Sequence, residues 1–128
     1  MWTLRMMSYL YITWVEMMVR RNRIHAAMTF SELPLRRHLA EPQAAAETKR
    51  IFEAVDWALT RHFCSVKCWH RAFVSARLLR EAGIDAEVRI GVTTGPFSAH
   101  AWVEVQGVPF GLDETGKLTY VRVEGFEP

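Results

Sequence analysis

At Gly83 the spacing of apolar residues changes from helical to alternating. Upstream, Trp69, Ala72, Phe73, Ala76 and Leu79 recur at intervals of one helical turn, while Arg71, Arg77 and Arg80 fall largely off that stripe. The pattern predicts a helix from Cys68 to Ala82, with Gly83 ending it in a left-handed cap. Downstream, Ala86, Val88, Ile90 and Val92 alternate with Glu87, Arg89 and Gly91, as the two faces of a half-buried strand do. Thr93-Thr94-Gly95-Pro96 reads as a turn. A second strand follows from His100 to Gln106, with Ala101, Val103 and Val105 on one face and His100, Trp102 and Glu104 on the other. Gly107 and Pro109 predict a hairpin reversal near 106–109, a short strand over 108–112, and a last strand from Leu118 to Val123.

The first half carries only helical signals. Leu4, Met7, Tyr11, Trp14 and Met18 predict one buried stripe on a helix over residues 3–21. A second helical stretch is expected between Ile24 and Leu39, interrupted at Pro34, and a longer helix over 43–62. Helices first and an antiparallel meander after them define an α+β fold, a helical N-terminal half packed on a small antiparallel sheet. A chain of 128 residues, half of them hydrophobic, suits a single domain over 1–128. Residues 1–62 are its mainly helical part, and 63–128 hold the Cys68 helix and the strands.

Charge and cysteine usage exclude several classes. The formal net charge is +2, and basic residues alternate with acidic ones, so no nucleic-acid footprint is expected. Arg20-Arg21-Asn22-Arg23 is the one dense basic run and reads as a solvated helix end. Residues 6–15 are apolar apart from Ser8 and Thr13, but this stretch is far short of the ~18 residues of a membrane span. It is also followed by EMMVRRNR rather than a small-residue cleavage site, so a core helix and a cytoplasmic protein are expected. Two cysteines, Cys64 and Cys68, are too few for a disulfide scaffold and point to free thiols in a reducing compartment.

The chemistry converges on three positions. Cys68 opens a helix, where unpaired amide groups and the positive dipole end favour a thiolate, and Lys67 adds positive potential. An inert buried cysteine is the alternative reading. His100, read as opening its strand at the sheet rim, is the best base for that thiol. His25, His38 and His62 read as structural, and His70 sits on a different helical face from Cys68. Asp113 can accept the bond from the second imidazole nitrogen, fixing tautomer and orientation, with Glu104 and Glu114 as substitutes. The backbone amides of Trp69 and Cys68 are candidate oxyanion donors. Cys64, Cys68, His70 and His62 offer a C-x3-C-x-H zinc spacing, but no second ligand pair follows, so neither metal nor other cofactor is expected.

The stretch CWHRAFVSARLLREAGIDAEVRIGV, followed by PFSAHAWVEVQG, resembles the lasso-peptide leader peptidases. The family pattern is matched by Cys68, Arg71, Leu78-Leu79, Gly83-Ile84 and the run from Pro96 to Glu104, within about residues 64–113. The resemblance implies a transglutaminase-like fold related to papain-type proteases, and a Cys68–His100–Asp113 triad that cleaves the leader from a lasso-peptide precursor. Where the family shows Asn-Asp, this chain has Leu112-Asp113. The resemblance also implies partners: the precursor's leader peptide, a separate leader-recognition protein and an ATP-dependent cyclase. With 128 residues, the protease half alone is expected, and the leader is expected to dock partly on the helical half. Transglutaminase-like acyl transfer to an amine, and a non-catalytic peptide-binding module of the same fold, are the competing readings.

Overall fold

A computed structural model describes residues 2–21, 23–62, 68–94, 97–110 and 121–122, without the side chains of 24, 68, 92–94, 97–99 and 121–122. Four helices precede the strands: α1 (Trp2–Arg20), α2 (Ile24–Ser31), α3 (Gln43–Arg61) and α4 (Cys68–Glu81). The strands are β1 (Ala86–Thr94), β2 (Phe97–Val105), β3 (Val108–Phe110) and β4 (Val121–Arg122), in an antiparallel sheet ordered β3-β2-β1-β4. The fold is α+β, with the meander β1-β2-β3 in chain order and β4 on the far side of β1.

α4 is the middle layer. It touches α1, α2 and α3 on one side and β1 and β2 on the other. Packed from both sides, it buries Ala72, Phe73, Val74, Ala76, Leu78 and Leu79, together with the polar His70 and Ser75. Phe73 and Leu79 join Ile12, Val15, Ile51, Val55, Ile84, Val103 and Val105 in one core. The three arginines expected off the apolar stripe are its tethers. Arg71 donates through Nε to Asp56 Oδ1 of α3 at 2.8 Å, and Arg77 donates to the Phe30 carbonyl of α2 at 3.2 Å. Arg80 donates to the carbonyls of Leu33 and Ala86.

Gly83 ends α4 as its sequence position predicts. Its φ is +91°, Ile84 N–H donates to the Leu79 carbonyl at 2.9 Å, and Gly83 N–H donates to the Arg80 carbonyl at 3.1 Å. These two bonds define a Schellman cap, which closes the last turn and aims the chain into β1. Gln106 (φ 52°) and Gly107 (φ 85°) form the two-residue reversal between β2 and β3, with Val105 opposite Val108.

Three expectations need correction. α2 stops at Ser31 instead of resuming after Pro34, and residues 33–40 run without a helix. Thr93 and Thr94 belong to β1, and β2 begins at Phe97, so His100 is its fourth residue rather than its first. The pairing Thr94↔Phe97 and Thr93↔Ser98 carries the ladder on, because β-branched and aromatic residues suit a strand better than a turn. In α1 the buried line is Ser8, Ile12, Val15 and Met18; Leu4, Met7 and Tyr11 are half-buried beside it, and Trp14 is exposed. Ser8 is tolerated there because its hydroxyl donates to the Leu4 carbonyl at 2.8 Å. No helix among the described residues is long and apolar enough to cross a membrane.

Candidate active site

α4 begins at Cys68, and no acidic residue stands in its first turn to oppose a thiolate at that end. The first turn is held from two sides. His70, two residues on, is buried, and its Nε2 lies 2.8 Å from Glu16 Oε1 of α1. Glu16 Oε2 in turn accepts from Arg20 Nε at 2.9 Å. This bond from Arg20 is the main reason the Glu16 carboxyl is held below the usual carboxylate range; His70 helps and burial opposes. On the other side Arg71 grips Asp56 with both arms, at 2.8 Å and 3.4 Å, while its guanidinium lies 4.8 Å from the centre of the Phe52 ring. Trp69 is half-buried against the core. The helix start that carries Cys68 is thus fixed to both α1 and α3.

His62 closes α3 near that corner. Its Nε2 is 2.8 Å from Thr13 Oγ1, and its ring packs on Tyr9 with centroids 4.5 Å apart. Burial, followed by the neighbouring His70, holds this imidazole below its ordinary range. His62 and His70 are therefore structural parts of the frame behind Cys68. His25 and His38 are exposed.

His100 stands on β2, half-buried, with its ring stacked on Trp102 at 6.4 Å and 19°. Burial along this strand does not simply alternate, because Trp102 is buried as well as Ala101, Val103 and Val105. Val103 and Val105 share a core with Phe73 and Leu79 of α4. His100, Trp102 and Glu104 rise from the opposite face. Cys68 and His100 are therefore carried by two elements in contact, on a helix end and on the outer face of a strand. Opposite His100 in the ladder is Gly91, which puts no side chain beside the imidazole on that strand. The Cys68 side chain, Cys64, Asp113 and Glu114 lie outside the described residues. Glu104 is bonded by Arg89 at 3.2 Å and sits four residues along β2 from His100, ~13 Å at the usual strand rise. It belongs to an ion-pair group on the sheet rather than to His100's surroundings. Among the described residues no group of three His, Cys, Asp or Glu is gathered as for a metal, and His70 directs its Nε2 to Glu16.

Beside this corner runs a groove of ≈ 500 Å³ between α3 and the β2–β3 hairpin. Phe52 and Phe110 stack across it at 5.2 Å, and Arg71 closes the end nearest the start of α4. The sequence reading found neither this groove nor the role of His70. The available signal for the groove was a pair of apolar residues, Val108 and Phe110, on a hairpin too short to bury them.

A helix opening on cysteine, packed on a strand carrying histidine, is an arrangement that thiol-based acyl chemistry can use. The chain belongs to the transglutaminase-like superfamily, whose family model matches residues 11–124. Neither a curated protein nor a solved structure matches it.

Proposed function

We propose that this chain is a cysteine peptidase that removes the leader peptide from a lasso-peptide precursor. The observation that carries the reading is Cys68 at the start of a helix packed on the strand that bears His100, within a transglutaminase-like chain. The narrower assignment to leader removal rests on the motif from Pro96 to Glu104 and its spacing from Cys68.

In this reading His100 takes the thiol proton and Cys68 attacks the carbonyl at the leader–core junction. The amide C–N bond breaks as His100 returns the proton to the leaving amine, and water then hydrolyses the thioester. Asp113 accepts from the second imidazole nitrogen, and the Trp69 and Cys68 amides face the oxyanion. This reading requires the thiolate and the imidazole to come together at the start of α4. The tethers His70–Glu16 and Arg71–Asp56 position the helix start for the attack.

A separate recognition protein fits the exposed face of α1. Trp2, Met6, Leu10, Trp14 and Met17 are between 42% and 63% exposed and fall on one side of that helix. That protein brings the leader, and an ATP-dependent cyclase acts on the freed amine. Cys68→Ala and His100→Ala are expected to fold and to accumulate uncleaved precursor when produced with precursor and recognition protein. Normal processing by Cys68→Ala would sink the proposal. Mass spectrometry of the product separates hydrolysis, which adds water, from transfer, which adds the amine.

A further inference from the structure

We propose that the groove between α3 and the β2–β3 hairpin is a subsite for an extended peptide segment. It would hold an aromatic or large aliphatic side chain against Phe52 and Phe110 and a basic residue against Glu41 and Glu53. The occupant's being the substrate rests on the peptidase reading above; the groove's affinity for such a peptide does not.

Four observations converge. First, the floor is apolar and partly open: Phe110 is 36% and Val108 55% exposed, and Phe110 stacks on Phe52 at 26°. Large apolar side chains left in water on a short hairpin mark a contact surface more often than chance exposure does. Second, the charge is uneven. Asp56 is matched by Arg71, which leaves Glu41 and Glu53 facing a single Lys49, a surplus of one carboxylate. A cationic group on the ligand balances it. Third, two residues that line the groove stand close in the chain to the proposed catalytic positions. Arg71 lies one turn after Cys68 on α4, and Phe110 lies three residues before Asp113. On the peptidase reading, a peptide lying along the floor runs towards the bond to be cut, and its remote contacts orient that bond.

Fourth, β3 is an edge strand among the described residues, yet it does not offer a plain edge for strand addition. Its central residue is Pro109, paired with Glu104. Proline has no N–H to give, and it belongs on an edge where its nitrogen faces away from the ladder. Backbone pairing with a ligand is thus interrupted at the middle of a three-residue strand. Recognition falls to side chains, which makes the subsite selective for sequence rather than for any extended chain.

The test uses the full-length chain with Cys68→Ala, so that nothing is turned over. A random peptide library displayed on phage is panned against it, and enriched peptides are synthesised and titrated calorimetrically. Enriched sequences are expected to place an apolar residue, aromatic by preference, beside Lys or Arg. Phe110→Ser or Glu53→Lys, each added to that variant at an exposed position, should weaken binding by about tenfold. His25→Ser, exposed on α2 and outside the groove, should leave it unchanged. Failure to enrich any sequence, enrichment of acidic peptides, or binding indifferent to both groove variants would overturn the assignment. Peptides that bind through the groove, together with precursor left uncut by the Cys68-containing chain when the recognition protein is present, would uphold it and would remove the peptidase reading instead.

Discussion

His62 and Glu16 stand in the frame behind the start of α4, and its response to pH follows from the direction in which each is shifted. The His62 imidazole is held below its ordinary range by burial and by the neighbouring His70. The folded chain thus binds that proton less readily than the unfolded one. Stability from this group is complete above the unfolded value, ~6.5, and is lost as pH falls from there through the folded value. Melting temperature should drop as pH is lowered through about 6, and His62→Gln should flatten that part of the curve. Superimposable curves for the two proteins would contradict this account. Glu16 acts lower on the scale. Its carboxyl is depressed, first by Arg20, so its contribution is present above the ordinary carboxylate value, ~4.3, and fades as pH falls through the folded value. Below that range the grip of α1 on His70 weakens. Cys68 and His100 stand out as candidates in one dimension, as a cysteine at a predicted helix start and a histidine in an alternating segment. The partnership of His70 with Glu16 spans 54 positions and depends on how α1 crosses α4, which no local pattern encodes.

Elements were read more securely than the joints between them. α3 was expected over 43–62 and runs Gln43–Arg61, because its alanine-rich face is both helix-forming and apolar. α2 was expected to resume beyond Pro34 but does not. That segment is fixed instead by tertiary bonds, among them Leu39 N–H to the Gly83 carbonyl at 2.8 Å and Arg80 to the Leu33 carbonyl. The turn expected at 93–96 lost two residues to β1 for the same reason: cross-strand pairing outweighs local turn preference. Gly83 and Gly107 allow a controlled comparison at this scale. Both have positive φ, but a Cβ at Gly83 would lie 3.0 Å from the Arg37 carbonyl oxygen, whereas one at Gly107 would meet nothing within 4 Å. Gly107→Ala should cost about 1–2 kcal/mol, the ordinary left-handed penalty, and Gly83→Ala more than that. Urea unfolding of the two variants measures the difference, and equal losses would contradict the crowding at Gly83. Phe73→Ala, in the layer between helices and sheet, should cost about 3–5 kcal/mol by the same measurement.

At the scale of the whole molecule, the exposed surface is distributed unevenly. Five of the seven large apolar residues found exposed among the described ones share one side of α1, and the other two, Val108 and Phe110, line the groove beside α3. The sequence reading assigned Trp14 to the core because Met, Leu and Trp at helical spacing normally face inward. α1 carries apolar residues on two sides, however, and Ser8, Ile12, Val15 and Met18 form the fully buried line of the inner one, with Leu4, Met7 and Tyr11 half-buried beside it. The outer side is the surface proposed for the recognition protein. Leu10→Glu should leave the fold and its melting temperature nearly unchanged while abolishing co-purification with that partner; unaltered co-purification would place the partner elsewhere.

The account stands on Cys68 and His100 acting as one chemical unit. The most direct measurement is the rate of alkylation of Cys68 by iodoacetamide as a function of pH, in a Cys64→Ser background and with His100 either present or replaced by Ala. With His100 present, the thiol should titrate well below the ~8.5 of an unperturbed cysteine, and its removal should carry the midpoint back towards that value. A Cys68 that titrates near 8.5 in both proteins, or that shifts without regard to His100, would contradict the account.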